Sequence, residues 1–219
     1  MQAEQPFVTQ PVYLRAIAKI ISYVFHPLFI PTYIFFWLLM RFPYEFAGIT
    51  PMGLFARKIT VFWMTAFFPA FAVFLLWRLK FIESIQIKTQ KERIVPYIIS
   101  MFFYWWMWYL SRSPNFSDQP IVLKFLFLSM GLATVAGLIF NSFFKISMHA
   151  MGAGGALTLI LLTAFIYQTY LGVDISLALI ITGLVCTARL LLGQHNNFEI
   201  YAGFITGILC QLIAYWVSV

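Results

Sequence analysis

Charged residues are scarce in this sequence. Only 10% of its 219 residues are Asp, Glu, Lys or Arg, whereas 62% are hydrophobic and the mean hydropathy is +0.88. A soluble domain of this size carries about a quarter charged residues. The composition therefore excludes an ordinary soluble domain and indicates an integral membrane protein. Because lipid offers the backbone no hydrogen-bond partner, the long continuous apolar runs predict transmembrane helices, not a β-barrel.

Cysteine and acidic residues are also few. Cys186 and Cys210 lie in apolar runs, and we expect small core residues there and no disulfide. The 14 basic residues outnumber the 7 acidic ones, but they are not clustered on one soluble face. We therefore expect no nucleic-acid partner; anionic membrane lipids or a phosphate ligand fit better.

Residues 1–22 lack the cleavage pattern of a secretory signal peptide and are predicted to form an N-terminal interfacial segment.

Seven apolar runs approach the length of about 20 residues that a membrane-spanning helix needs. The first is broken by Pro27 and Pro31, so the number of spans is six or seven, and His26 before the first proline is interpreted as structural. We predict an all-α, polytopic integral membrane helical bundle that forms a single domain over residues 1–219. The runs lie at about residues 23–40, 59–77, 96–110, 121–140, 150–170, 175–192 and 199–217.

Polar stretches follow the second, fourth and sixth runs. If every run crosses the membrane, the three stretches lie on the same face and can form one site. The basic residues outside these stretches are nearly balanced between the two faces, so the positive-inside rule leaves the orientation open. The candidate site residues on this face are Lys88, Lys91, Arg93, Lys145, Ser147, His149, Arg189, His195 and Glu199.

The spacing of the last three candidates suggests chemistry on an anion. His195 and Glu199 are one helical turn apart, so the carboxylate can orient the imidazole. One imidazole can attack as a nucleophile while a second, that of His149, donates a proton to the leaving group. Arg189 ends an apolar run, where a charge is costly and by default functional. Such cations suit the non-bridging oxygens of a phosphate.

Two further groups can complete a phosphate site. Arg93 and either Lys88 or Lys91 add positive charge, although basic residues between spans are also common interfacial anchors. Ser147 and the free backbone N–H groups of the following helix can add hydrogen bonds. Lys145 is interpreted as an anchor whose side chain extends to the interface.

The motifs resemble those of the type 2 phosphatidic acid phosphatase superfamily, which includes lipid phosphate phosphatases. Its third motif is Ser-Arg, five residues, His, three residues, Asp; here Arg189, His195 and Glu199 have this spacing in ARLLLGQHNNFE. Its second motif is Pro-Ser-Gly-His, and this sequence reads ISMH with Ser147 and His149. Its first motif, Lys, six residues, Arg-Pro, is matched only loosely by KTQKERIVP. The matching region covers residues 88–207.

The resemblance implies a role for each candidate. His195 would be the nucleophile that forms a phosphohistidine, Glu199 would orient it, and His149 would be the general acid. The phosphate would be bound by Arg189, Ser147, Arg93 and Lys88 or Lys91. The phosphatase branch of the family needs no metal or other cofactor. The sequence departs from the family pattern at Glu199, where an aspartate is usual, at Met148, where glycine is usual, and at Ala188, where serine is usual.

These observations predict a metal-independent lipid phosphate phosphatase that acts on a phosphorylated lipid, and we expect it in a bacterial inner membrane. Three alternatives stay open. A lipid phosphotransferase would use the same histidine with an alcohol as acceptor. A catalytically degenerate family member would explain the departures from the motifs. A transporter would explain charges inside the membrane, but not the two histidine motifs. The sequence leaves the oligomeric state open.

Overall fold

The computed structural model describes residues 10–84, 89–113, 116 and 118–219. Within these residues the regular secondary structure is helical and contains no strand. The α-helices are α1 (Val12–Val24), α2 (Ile30–Arg41), α3 (Pro51–Phe62), α4 (Phe68–Arg78), α5 (Gln90–Ser111), α6 (Ile121–Asn141), α7 (Met148–Ile166), α8 (Gly172–Leu191) and α9 (Asn197–Ser218).

Six segments of the described chain are long and apolar enough to cross a membrane. Two are composite, because α1 and α2 together form Val12–Arg41, and α3 and α4 together form Pro51–Arg78. Helices α6, α7, α8 and α9 supply the other four. Helix α5 is also long, but its first turn is charged. The predicted all-α membrane bundle of six to seven transmembrane helices is thereby confirmed.

Prolines explain both composite segments. Proline lacks a backbone N–H and clashes with the carbonyl four residues earlier, so it interrupts a helix. A 3₁₀ turn at Pro27–Phe29 separates α1 from α2, with His26 as its N-cap. A π-helical turn at Trp63–Phe67 lies just before Pro69 and joins α3 to α4. The first helix begins at Val12, earlier than the expected start near residue 23, so much of the segment expected to be interfacial is continuous with the first span.

The connections after α4, α6 and α8 lie at the same end of the bundle, as the order of the spans predicted. At this end Gln90 and Asn141 exchange hydrogen bonds, each side-chain nitrogen donating to the other residue's backbone oxygen at 3.0 and 2.9 Å. The first turn of α5 is thereby joined to the last turn of α6. The loop that leads into α7 starts from this fixed point.

Helices α7 and α9 approach each other closely through glycines. A Cβ on Gly207 would collide with the carbonyl oxygen of Met151, and one on Gly203 would collide with the carbonyl oxygen of Ser147. A Cβ on Gly154 would collide with the carbonyl oxygen of Phe204. The expectation that Gly203 and Gly207 serve close helix packing is confirmed. This packing holds the first turns of α7 and α9 side by side.

The opposite end of the bundle is held by ion pairs. Asp174, at the start of α8, accepts hydrogen bonds from Arg41 and from the indole nitrogen of Trp37. The buried Arg57 donates to Asp118 at 2.6 Å. These contacts fix the ends of the helices far from the candidate site.

Candidate active site

A cavity of about 570 Å³ lies at the end of the bundle where the three polar connections meet. Its walls come from α1, α4, α5, α7, α8 and the loop between α8 and α9. Four of the candidate site residues line it: Arg93, His149, Arg189 and His195. No Asp or Glu is among the lining residues that the structure describes. The structure thus brings two of the histidines and two of the arginines together in a cavity that favours an anion.

Glu199 and the backbone of Lys145 determine which nitrogen of the His195 ring carries the proton. Nδ1 of His195 lies 2.8 Å from Glu199 Oε2 and 3.1 Å from the carbonyl oxygen of Lys145. Both neighbours are acceptors, so Nδ1 carries the proton and donates it. Nε2 of the neutral ring therefore has a free lone pair, and it makes no hydrogen bond to any described residue. An imidazole in this state is suited to nucleophilic attack.

The charge state of His195 supports the same role. Burial lowers the pKa of His195 to about 3, and the positive charges of Arg93, Arg189 and Lys145 act in the same direction. The imidazole is therefore neutral at physiological pH. Burial also lowers the pKa of the Lys145 ammonium group, with a further contribution from Arg93. Several cations are crowded at this end of the bundle, and an anionic ligand would relieve their repulsion.

Glu199 has a second structural function. Its Oε2 also accepts the backbone N–H of Asn196 at 3.3 Å, while Asn196 Oδ1 accepts the backbone N–H of Glu199 at 2.9 Å. This reciprocal pair is a capping box, which favours Glu or Gln at the third helical position. The glutamate that departs from the family pattern is therefore long enough to start α9 and to reach His195 at the same time.

His149 lies in the first turn of α7 and has a different tautomer. Its Nε2 lies 3.0 Å from the backbone carbonyl oxygen of Ser22, so this nitrogen carries a proton and donates. Nδ1 is then the free nitrogen, and it makes no hydrogen bond within the described part of the chain. A proton gained by this ring would therefore reside on Nδ1, while the bond to Ser22 stays intact.

The two arginines differ in their partners. Arg93 is buried and donates from a terminal guanidinium nitrogen to the carbonyl oxygen of Ile146 at 3.0 Å, which holds the loop before α7. The guanidinium of Arg189 makes no hydrogen bond to any residue that the structure describes, and its Nε is fully buried. A buried donor without a partner costs about 1–3 kcal/mol, and more when it is charged. Arg189 is thus the group that most requires a ligand.

Two of the predicted phosphate-binding residues, Ser147 and Lys91, do not line the cavity, and a third lies outside the part of the chain that the structure describes. Ser147 is completely buried as the N-cap of α7, where its Oγ accepts the N–H of Ala150. Lys91 is exposed in the first turn of α5 and is not among the cavity-lining residues. Lys88 lies outside the described residues. The cations of the cavity are instead Arg93, Arg189 and, at its outer edge, the exposed Lys19 of α1.

His26, which is interpreted as structural from the sequence, also lines this cavity. Its ring lies beside that of His149, with the ring centroids 5.0 Å apart and an interplanar angle of 83°. A usable signal was present, because an ionisable side chain inside a predicted span is functional by default. The adjacent Pro27 favoured the simpler interpretation that His26 has a structural role.

Comparison with models of known protein families, with curated proteins and with solved structures found no match for this chain. Among the residues that the structure describes, no group of three or more His, Cys, Asp and Glu side chains is arranged to hold a metal ion.

Proposed function

We propose that the protein is a membrane-embedded phosphatase that removes phosphate from a phosphorylated lipid through a phosphohistidine on His195. The observation that carries the proposal is the pairing of unsatisfied groups in one cavity. The guanidinium of Arg189 has no hydrogen-bond partner among the described residues, and Nε2 of His195 presents a free lone pair to the same space. A phosphate ester supplies both an anion for the first group and an electrophile for the second.

In the first step the lone pair of His195 Nε2 forms a bond to phosphorus, and the bond between phosphorus and the ester oxygen breaks. The departing oxygen takes a proton from Nδ1 of His149, which has received this proton from a monoprotonated phosphate group and is neutral again after the step. Nδ1–H of His195 continues to donate to Glu199, which stabilises the positive charge that develops on the ring.

In the second step a water molecule attacks phosphorus, and the nitrogen–phosphorus bond breaks. Nδ1 of His149 takes the proton of the attacking water and passes it to the inorganic phosphate that leaves, so both histidines return to their neutral starting states. Throughout, Arg189 and Arg93 offset the negative charge of the phosphoryl oxygens, and the N-terminus of α7 adds the positive end of its dipole.

The position of the cavity supports a lipid as the source of the phosphate. Its outer walls include Tyr23 of α1 and Trp77 of α4, whose side chains are 61% and 39% exposed on the outside of the bundle. Aromatic side chains of this kind are typical of the membrane interface. A smaller, apolar cavity of about 90 Å³ adjoins the first, and both include Leu28 and Met148 in their linings. A headgroup can thus lie in the polar cavity while its chains stay in apolar surroundings.

A helical bundle also fits the expected inner membrane of a bacterium, because proteins of the bacterial outer membrane are characteristically β-barrels.

The function is tested by measuring phosphate release from a panel of detergent-solubilised lipid phosphates. We expect release by the unmodified protein and none above background by His195→Asn. Radiolabelled substrate quenched during turnover should leave an acid-labile label on the protein. If no substrate in the panel gives release that depends on His195, the hydrolase proposal is wrong.

A further inference from the structure

His26 is the histidine of the cavity to which neither the motifs nor the mechanism assigns a role. It lies just after α1 and is the N-cap of the 3₁₀ turn Pro27–Phe29. Its Nδ1 accepts the backbone N–H of Leu28 at 3.3 Å. A nitrogen that accepts an N–H cannot itself carry a proton, so the proton of the neutral ring is on Nε2. The backbone thereby fixes His26 as a donor through Nε2.

That donor has no partner in the described protein. Nε2 of His26 makes no hydrogen bond to any described residue, although the ring lines the cavity together with Arg189 and His195. The neighbouring ring of His149 meets it edge to face and not through a hydrogen bond. The N–H can donate to any acceptor oxygen, and the positive charges of Arg93 and Arg189 in the same cavity favour an anionic one.

We propose that His26 binds a non-bridging oxygen of the phosphate through Nε2–H, as a neutral donor opposite the charged guanidinium of Arg189. This inference rests on the proposed phosphate specificity of the cavity. A second proton on His26 would have to displace the bond from Leu28 and would add charge beside Arg189 and His149. The residue therefore binds without becoming charged, and the transferable proton belongs to His149.

A purely structural role for His26 makes different predictions, and two substitutions separate them. In His26→Asn the side-chain oxygen can still accept the N–H of Leu28, as asparagine commonly does at an N-cap, but the distal donor is lost. In His26→Gln the amide nitrogen reaches about as far from the backbone as Nε2, so a donor is kept while the short-range cap is weakened.

The test measures the binding of inorganic phosphate to the intact chain in detergent by calorimetric titration. The melting temperature of each variant is measured separately, without phosphate. We expect His26→Asn to bind phosphate about 10-fold or more weakly, because this is the contribution to affinity that a hydrogen bond to a charged group makes. Its melting temperature should be unchanged. His26→Gln should retain most of the affinity and melt at a lower temperature. Unchanged phosphate affinity in His26→Asn, or a loss of affinity in both variants that follows their melting temperatures, would overturn the proposal.

This outcome can be separated from failure of the proposed function. If His26→Asn weakens phosphate binding but the unmodified protein forms no phosphoenzyme, the anion site stands and the hydrolase proposal fails. If turnover depends on His195 while His26→Asn changes neither phosphate affinity nor KM, the hydrolase proposal stands and the assignment of His26 fails.

Discussion

The carboxylate of Glu199 lies 2.8 Å from Nδ1 of His195, one helical turn away. The same oxygen accepts the backbone N–H of Asn196, so the start of α9 and the orientation of the candidate nucleophile depend on one side chain. The two functions can be separated by substitution, because glutamine is also accepted at the third position of a capping box.

The variant Glu199→Gln should keep the fold and lose most of the activity. Its amide can donate to the imidazole and so stabilise the wrong tautomer, in which the proton is on Nε2 and the lone pair needed for attack is blocked. Losing the orienting carboxylate of a comparable catalytic triad costs about 10⁴-fold in kcat, and we expect a loss of about 10³- to 10⁴-fold here. The measurements are phosphate release and melting temperature. A Glu199→Gln variant that retained half of the activity would contradict the assigned tautomer.

The protonation of His195 gives a prediction about pH. The pKa of this ring is about 3 in the folded protein and about 6.5 in an unfolded chain. The unfolded state therefore binds the proton more strongly, and the contribution of His195 to stability is complete above pH 6.5 and is lost as the pH falls toward 3. Nitrogen NMR of labelled histidine should show a neutral His195 at pH 5.

A matched variant tests the cause of that shift. Lys145→Gln removes one nearby cation but keeps the backbone carbonyl that accepts from His195. Its His195 pKa should move upward, toward 6.5, and remain below it because burial is the largest cause. A His195 signal that titrates near pH 6.5 in the unmodified protein would show that the ring is not buried among these charges.

Arg189 should contribute to ligand binding while lowering the stability of the ligand-free protein. The variant Arg189→Gln removes a half-buried charge whose buried Nε has no partner among the described residues, so without phosphate we expect its melting temperature to rise by roughly 2–4 °C. The stabilisation that added phosphate gives to the unmodified protein should disappear in this variant. Thermal melts with and without phosphate check both expectations.

Arg93→Gln is the matched control for this experiment. Arg93 donates to Ile146, so its removal leaves a buried carbonyl oxygen unsatisfied and should lower the melting temperature. If Arg189→Gln destabilised the free protein as much as Arg93→Gln does, Arg189 would be a structural residue and not a ligand-binding one.

The glycine contact between α7 and α9 should be sensitive to a single methyl group. Gly207→Ala places a Cβ against the carbonyl group of Met151 and the backbone nitrogen of Gly155, and all of these atoms belong to the backbone of the packed helix α7. Helix separation would move His149 away from His195, so we expect loss of activity together with a lower melting temperature. Gly183→Ala on α8 is the control, since nothing lies within 4 Å of its added Cβ and alanine favours a helix. Equal effects of the two substitutions would contradict the close packing.

Much of this arrangement was predictable from the sequence, because membrane spans have a strong and local signal. Long apolar runs gave the helices, and their alternating direction predicted that the connections carrying Arg93, His149 and His195 meet at one end. The contact between His195 and Glu199 was predicted from their four-residue spacing, although His195 lies just before α9 and not within it. These features depend on the spacing of residues and on the length of apolar runs, both of which can be read from the sequence.

The remaining features depend on tertiary contacts. A serine before a helix can bind a ligand or cap the helix, and only the burial of Ser147 shows that it caps. The sequence likewise offers no means of telling that Lys91 is exposed and does not line the cavity. The partner of His149 is a carbonyl oxygen of Ser22, and such a backbone contact between distant segments has no signature in side-chain identity.

The cavity combines residues from helices that are far apart in the chain. His26 lies just after α1, whereas Glu199 lies in the first turn of α9. During biosynthesis the early helices enter the bilayer before α9 has been translated, so the candidate nucleophile and its orienting carboxylate arrive after the other walls of the site. On the proposed mechanism an incompletely inserted chain is inactive, and activity in a membrane preparation would count only the molecules whose insertion has reached α9.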